Sequence, residues 1–199
     1  PQGKHPKGVL LIHGLSDSPY MMQPLARHLR ERGLLVRAIL LPGHGTVPGD
    51  LREVAYGEWI KAATYGLRTL KADADRVYVG GFSTGGALSV LLALEDPDVA
   101  GLLLFAPAFD TRNKLAALGG WFGLFRDWVG PQRDDADYAK YESFATNAVR
   151  QIYDLTRELA ARLEARKRLD TPVFAAFSED DRTVDSDRTV EVMDRYGAS

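Results

Sequence analysis

The stretch YVGGFSTGGALS, residues 78–89, predicts a buried strand that turns into a helix at Ser83. Ser83 stands between Gly81 and Gly85 in the pattern Gly-x-Ser-x-Gly, where glycines remove side chains that would clash at so sharp a turn. The helix that begins at Thr84 would direct its first amides towards negative charge developing beside Ser83. Ser83 is therefore a candidate nucleophile. A nucleotide-binding turn is disfavoured, because the chain has neither Gly-x-Gly-x-x-Gly nor Gly-Lys-Ser/Thr.

Strands and helices alternate on both sides of this stretch. Strands are predicted within residues 8–14, 34–45, 76–83, 99–109 and 171–178, and helices within 18–33, 56–72, 84–95, 147–169 and 186–197. The strands are apolar throughout rather than alternating in polarity, which indicates a parallel sheet covered by helices on both faces. The predicted fold class is α/β, and the active site of such a sheet lies at the carboxyl ends of its strands.

Residues 110–170 interrupt the alternation. They hold an aromatic-rich run at 114–130, a polar run at 133–143 and a long amphipathic helix. We interpret 1–109 and 171–199 as the core and 110–170 as an inserted helical cap that needs the sheet beneath it. The chain starts at Pro1 and stops at Ser199, just after a predicted helix, so we expect the natural sequence to be longer at both ends.

Composition excludes several classes of protein. The 199 residues are 45% hydrophobic and 26% charged with a net charge of −2, and they show no basic stripe of the kind that binds nucleic acid. Without cysteine there is neither a disulfide nor thiolate chemistry. No apolar run reaches the ~18 residues of a transmembrane helix. We expect a cytoplasmic protein that needs no cofactor and no metal; its oligomeric state is not predicted.

Two loops follow the first two strands. HGLSDS, residues 13–18, lies where the amide of Leu15 could join that of Thr84 to bind a tetrahedral oxyanion. His13 and His44, the latter in PGHG at 42–45, are then interpreted as residues that order these loops. An acidic loop, FSEDDRTVD at 177–185, follows the last strand, and Asp180, Asp181 and Asp185 compete for the role of the triad acid.

LLIHGLSDSP, LPGHG, GGFSTGG and SEDDRTVD, in that order, resemble the α/β-hydrolase superfamily, and within it bacterial carboxylesterases and monoacylglycerol lipases. The resemblance implies Ser83 as nucleophile, Leu15 and Thr84 as backbone oxyanion donors, and Asp181 as acid. It also implies a catalytic histidine C-terminal to Asp181. The four histidines, His5, His13, His28 and His44, all precede Ser83, so we expect the catalytic one beyond Ser199.

The resemblance implies a serine hydrolase that cleaves carboxylic esters, with a medium acyl chain or a monoglyceride-like substrate, through an acyl-enzyme. A thioesterase, amidase or acyltransferase with the same triad is one alternative, and a non-catalytic binding protein of this fold is another. The cap supplies candidates for an acyl pocket, which could equally be the core of the cap itself. These are Leu118, Trp121, Phe122, Phe125 and Trp128.

Overall fold

The computed structural model describes residues 3–110, 128–129, 140–166, 168–181 and 184–197. Its centre is a parallel sheet of five strands. These are β1 (His5–Ile12), β2 (Leu35–Ile39), β3 (Ala74–Phe82), β4 (Val99–Phe105) and β7 (Val173–Ala176); β5 (Trp128–Val129) and β6 (Phe144–Ala145) form a separate antiparallel pair. The order across the sheet is β2-β1-β3-β4-β7, so β3, which leads to Ser83, is the central strand.

Five α-helices accompany the strands in the described part of the chain. They are α1 (Gln23–Glu31), α2 (Tyr56–Asp73), α3 (Thr84–Glu95), α4 (Thr146–Arg166) and α5 (Ser186–Tyr196), with 3-10 helices at Pro19–Met22 and Pro48–Arg52. The predicted α/β class is confirmed. The region expected as one helix over 18–33 begins instead as a 3-10 turn, which Ser18 caps by accepting a hydrogen bond from the amide of Tyr20.

The sheet is covered on both faces, which explains why its strands are apolar at successive positions. Val9 and Leu11 of β1 face the side of α1, where Met22 completes a small cluster. Leu10 and Ile12 face the opposite side and join the main core with α2, α3 and α4. The helix α3 is buried along almost its whole length, because it lies between the sheet and α4.

The helix α4 lies in the connection from β4 to β7, within the segment interpreted as a cap. Its apolar face, including Leu155 and Leu159, belongs to the same core as the sheet, and Arg162 forms an ion pair with Glu95 of α3. Much of the rest of that segment, 111–127 and 130–139, lies outside the described residues. The division into core and cap therefore stays a prediction. In the part of the chain that is described, no helix is long and apolar enough to cross a membrane.

Candidate active site

Ser83 occupies the turn between the end of β3 and the start of α3. Its backbone has φ 51° and ψ −112°, a conformation that residues other than glycine rarely adopt. Backbone hydrogen bonds from both sides of the turn hold it there. The Ser83 amide donates to the carbonyl of Phe105 at 3.0 Å, and the Ser83 carbonyl accepts from the amides of Gly86 at 2.9 Å and Ala108 at 3.0 Å. Strain that is held from several sides is typical of functional positions.

The flanking glycines are required because backbone segments approach each other closely at this turn. A Cβ atom on Gly85 would overlap the carbonyl oxygen of Ile12, at the end of β1. A Cβ atom on Gly81 would overlap the backbone of Gly85 itself. The start of α3 therefore lies directly against the ends of β1 and β3, which fixes where Ser83 is presented.

A cavity of about 510 Å³ opens beside Ser83 at the carboxyl end of the sheet. Leu15 and Asp181 line it together with Ser83, so three of the four predicted site residues share one space. The fourth, Thr84, is fully buried as the first residue of α3. The amides of Leu15 and Thr84 have no hydrogen-bond acceptor among the described residues, as an oxyanion-binding pair requires before substrate arrives.

His13 is completely buried behind the Leu15 loop, and its hydrogen bonds define its tautomer. The amide of Leu41 donates to Nε2 at 3.1 Å, so Nδ1 carries the proton and donates to the carbonyl of Gly14 at 2.8 Å. Burial, and to a smaller extent the nearby His44, lowers the pKa of His13 to about 4, so the ring is neutral at pH 7. The Gly14 carbonyl belongs to the same peptide group as the Leu15 amide. His13 therefore orients the proposed oxyanion donor.

His44 holds the next peptide group of the same loop. Its Nε2 lies 2.6 Å from the carbonyl oxygen of Leu15, and its Nδ1 lies 3.1 Å from that of Pro42. Burial lowers the pKa of His44, although these hydrogen bonds oppose the change. The ring stacks on Tyr141, with planes 8° apart, and the Tyr141 amide donates to the carbonyl of Ser16 at 2.6 Å. Both loops are thereby tied to the segment that precedes α4.

None of the four histidines donates to or accepts from Ser83 in the described part of the chain. His13 and His44 bond to backbone groups of the loops. His5 bonds to Lys7 at the start of β1, and His28 bonds to Arg32 at the end of α1. The expected loop-ordering role of His13 and His44 agrees with these contacts.

The three competing aspartates occupy different surroundings. Asp181 is half-buried, lines the cavity of Ser83 and accepts a hydrogen bond from the amide of Val184 at 2.9 Å. Asp180 is exposed, and Asp185 caps α5 by accepting from the amide of Arg188 at 3.2 Å. Neither Asp180 nor Asp185 is among the described residues that line this cavity.

Sequence reasoning did not single out Asp17 or Lys140. Both line the cavity, and the Asp17 side chain is almost completely buried, with 7% of the residue exposed. Burial raises the pKa of Asp17, while the charge of Lys140 and the amide of Gly14 oppose that rise. The only available signal was an acidic residue inside HGLSDS, and its position in a loop gave no reason to expect burial.

The proposed acyl pocket is largely beyond the described residues. Leu118, Trp121, Phe122 and Phe125 all lie in the undescribed segment 111–127. Trp128 is described: it is half-buried, packs against the main core and is not among the described residues that line the cavity of Ser83. The pocket assignment of all five residues stays a prediction.

Known proteins are similar to this chain in sequence and in fold. The model of the family described as serine aminopeptidase, S33 matches residues 3–199. The thermostable monoacylglycerol lipase of Bacillus sp. (strain H-257) is 30% identical over 183 residues, which cover 90% of this chain and 72% of that protein. The carboxylesterase of Bacillus subtilis (strain 168) is 22% identical over 187 residues, with 91% and 74% covered.

The same fold is found among solved structures. A structure from work on the metagenome-derived lipolytic enzymes LipS and LipT superposes with a TM-score of 0.87 at 22% identity, covering 99% of this chain and 81% of that one. At this level of identity the superposition supports the α/β-hydrolase fold, and the relation to esterases and lipases comes from the sequence relatives above.

Proposed function

The chain belongs to the serine aminopeptidase S33 family of α/β-hydrolases and is an enzyme of the monoacylglycerol lipase and carboxylesterase type; from this membership we propose that it cleaves carboxylic esters at Ser83. The proposed substrates are esters of a medium-chain acid or monoacylglycerols, and the name of the 30% identical relative supports the second of these. The observation that carries this proposal is the cavity that Ser83, Leu15 and Asp181 share at the end of the sheet.

The proposed reaction proceeds in two halves. The Ser83 hydroxyl oxygen attacks the ester carbonyl while a general base takes its proton, and the base returns that proton to the leaving alcohol. The negative charge on the tetrahedral oxygen is bound by the amides of Leu15 and Thr84. Water then attacks the acyl-enzyme with the help of the same base, and the free acid and Ser83 are released.

The base of this mechanism is proposed to be a histidine that follows Asp181 in the native protein. The family order of the triad supports that position, and the four histidines of residues 1–199 bond elsewhere. Asp181 would accept a hydrogen bond from that histidine, hold its tautomer and stabilise the imidazolium that forms. The partly buried position of Asp181 in the wall of the cavity supports this role.

The proposal is tested with the full-length native protein and a fluorophosphonate probe, which reacts with activated serines. We expect labelling at Ser83 and hydrolysis of monoacylglycerols and simple esters, with much slower turnover of acyl-CoA thioesters and anilides. Ser83→Ala should abolish labelling and lower kcat by roughly 10⁶-fold. Ser89→Ala is the matched control, because the Ser89 hydroxyl is buried on α3, the helix that follows Ser83, and bonds to the carbonyl of Gly85.

Each alternative has its own outcome. Thioesters or anilides turned over faster than any ester would reassign the enzyme to a thioesterase or amidase. A folded native protein that neither reacts with the probe nor hydrolyses esters would point instead to a non-catalytic binding protein.

A further inference from the structure

The loop that carries the Leu15 amide is held at three successive carbonyl groups. The Gly14 carbonyl accepts from the His13 ring at 2.8 Å and from the amide of Asp17 at 3.2 Å. The next two carbonyls, those of Leu15 and Ser16, are held by residues from distant parts of the chain. The Leu15 amide itself has no acceptor among the described residues. Its direction therefore depends on the groups that hold the carbonyls around it.

Tyr141 holds the Ser16 carbonyl directly. Its amide donates to that oxygen at 2.6 Å, and the residue is buried, with 3% exposed. At the other end of the side chain, the hydroxyl accepts from the amide of Thr46 at 3.0 Å and donates to the carbonyl of Gly43 at 3.3 Å. One residue of the segment before α4 thus fixes both the Leu15 loop and the loop that contains His44.

Tyr141 also supports the Leu15 carbonyl, through His44. The two rings are nearly parallel, with planes 8° apart and centroids 6.0 Å apart. Nε2 of His44 lies 2.6 Å from the Leu15 carbonyl oxygen, so it carries the proton and donates. The Pro42 carbonyl, which faces Nδ1, accepts from the Trp59 indole at 3.1 Å. Without the tyrosine ring, one face of the imidazole loses its support and the Leu15 carbonyl loses a fixed donor.

We propose that Tyr141 is a positioning residue that sets the direction of the Leu15 amide. It acts through the Ser16 carbonyl and the ring of His44, so turnover depends on where the segment before α4 lies. An oxyanion exists only in the transition state, so an amide that is turned away slows the chemical step without weakening substrate binding. This inference rests on the proposed ester hydrolysis at Ser83 and adds a residue that tunes it.

The test measures kcat and KM for one ester in the full-length native protein. It also measures the inhibition constant of a trifluoromethyl ketone with the same acyl chain, which forms a tetrahedral adduct with an active serine. Tyr141→Leu should lower kcat and kcat/KM together by about 10²-fold with KM almost unchanged, because a misplacement of about 1 Å costs this much. Ketone affinity should fall by a similar factor. Tyr141→Phe keeps the stacked ring, so its losses should follow the same pattern and be smaller.

Tyr196→Phe is the matched control. Tyr196 is also buried, with 4% exposed, and its hydroxyl donates to Glu164 at 2.6 Å, outside the described lining of the cavity. It should lose stability as Tyr141→Phe does and keep the wild-type kcat and ketone affinity. Melting curves establish whether Tyr141→Leu folds. If it does not, the comparison of Tyr141→Phe with Tyr196→Phe still decides.

Two results overturn the positioning role. A raised KM with unchanged kcat would mean that Tyr141 contacts substrate in the cavity, which it also lines. A lowered melting temperature with wild-type kcat and ketone affinity would mean that Tyr141 only stabilises the fold. If the wild type neither hydrolyses an ester nor binds the ketone, the proposed function fails instead.

Discussion

The two sides of the candidate active site differ in how firmly the fold holds them. On the side of the proposed oxyanion donors, His13 and His44 are buried at 0% and 2% exposure, and they bond to the carbonyls of Gly14 and Leu15. On the acid side, Asp181 lies in a loop that follows β7, an edge strand of the described sheet, and the residues from Phe177 to Asp180 are exposed. The hydrogen bonds described for that loop are mostly local, among them Val184 amide to Asp181 at 2.9 Å and Ser186 hydroxyl to Ser178 carbonyl at 2.7 Å.

In the proposed site, this difference divides the tasks between core and edge. Oxyanion donors stabilise a transition state best when they need no rearrangement, so they are held by groups that also stabilise the folded state. An acid that orients a mobile partner can lie on a loop with few contacts. Substitutions on the oxyanion side should therefore reduce stability, whereas those on the acid side should mainly reduce turnover.

Of the two sides, the acid side should show the larger loss of turnover. Asp181→Asn should lower kcat for ester hydrolysis about 10⁴-fold, because an amide leaves the geometry intact but favours the wrong histidine tautomer. The melting temperature should change little, since the loop is half-exposed. Steady-state kinetics of the full-length native protein and a thermal scan measure both quantities.

Asp180→Asn and Asp185→Asn are the matched comparisons. Asp180 is exposed, and asparagine caps a helix about as well as aspartate, so both variants should keep turnover close to that of the wild type. A loss of kcat that is greatest in Asp185→Asn would show that the acid has been assigned to the wrong position in the loop.

On the oxyanion side, acid should destabilise the protein through His13. Its pKa is about 4 in the folded state and 6.5 as its ordinary value, so the unfolded chain binds the proton first as pH falls. Stability contributed by the neutral ring is complete above pH 6.5 and is lost as pH falls towards 4, by about 3 kcal/mol. The lowered pKa of His44 acts in the same direction, and the raised pKa of Asp17 acts in the opposite one.

Urea unfolding, followed by tryptophan fluorescence at several pH values between 4 and 7, measures this loss. His13→Asn removes the titrating group, so its free energy of unfolding should depend less steeply on pH than that of the wild type. Parallel pH dependences in the two proteins would show that His13 does not carry the effect, and the contrast between the two sides would weaken.

The sequence predicts the fold well because periodicity and turn residues act locally. The helix expected over 84–95 is α3, and the glycines around Ser83 are needed for the close backbone contacts that the motif implied. The strand expected within 34–45 covers only Leu35–Ile39, because the following residues turn around Gly43 and Gly45, both with positive φ.

The rest of the site depends on contacts between distant segments. Tyr141 stacks on His44, 97 positions earlier in the chain, and no local pattern predicts that pairing. The burial of Asp17 likewise follows from how its loop packs against neighbouring segments. Sequence identifies the residues that end strands, but which loop carbonyl each histidine contacts is decided by tertiary packing.

The smallest expected effect is the loss of stability when Asp185 is replaced. It tests whether this aspartate caps a helix or takes part in catalysis. Asp185 is the N-cap of α5, where its carboxylate accepts from the amide of Arg188 at 3.2 Å. Asp185→Ala removes that acceptor and should lower the free energy of unfolding by about 1 kcal/mol, whereas Asp185→Asn should lower it by only a few tenths. Urea unfolding at pH 7 gives both values, and kcat measured alongside should stay near the wild-type value in both variants. If alanine and asparagine reduce stability equally, the carboxylate acts through its charge rather than as a cap. If both reduce kcat strongly without reducing stability, then the acid side holds its catalytic group at Asp185, and the contrast with the buried oxyanion side has to be redrawn around that residue.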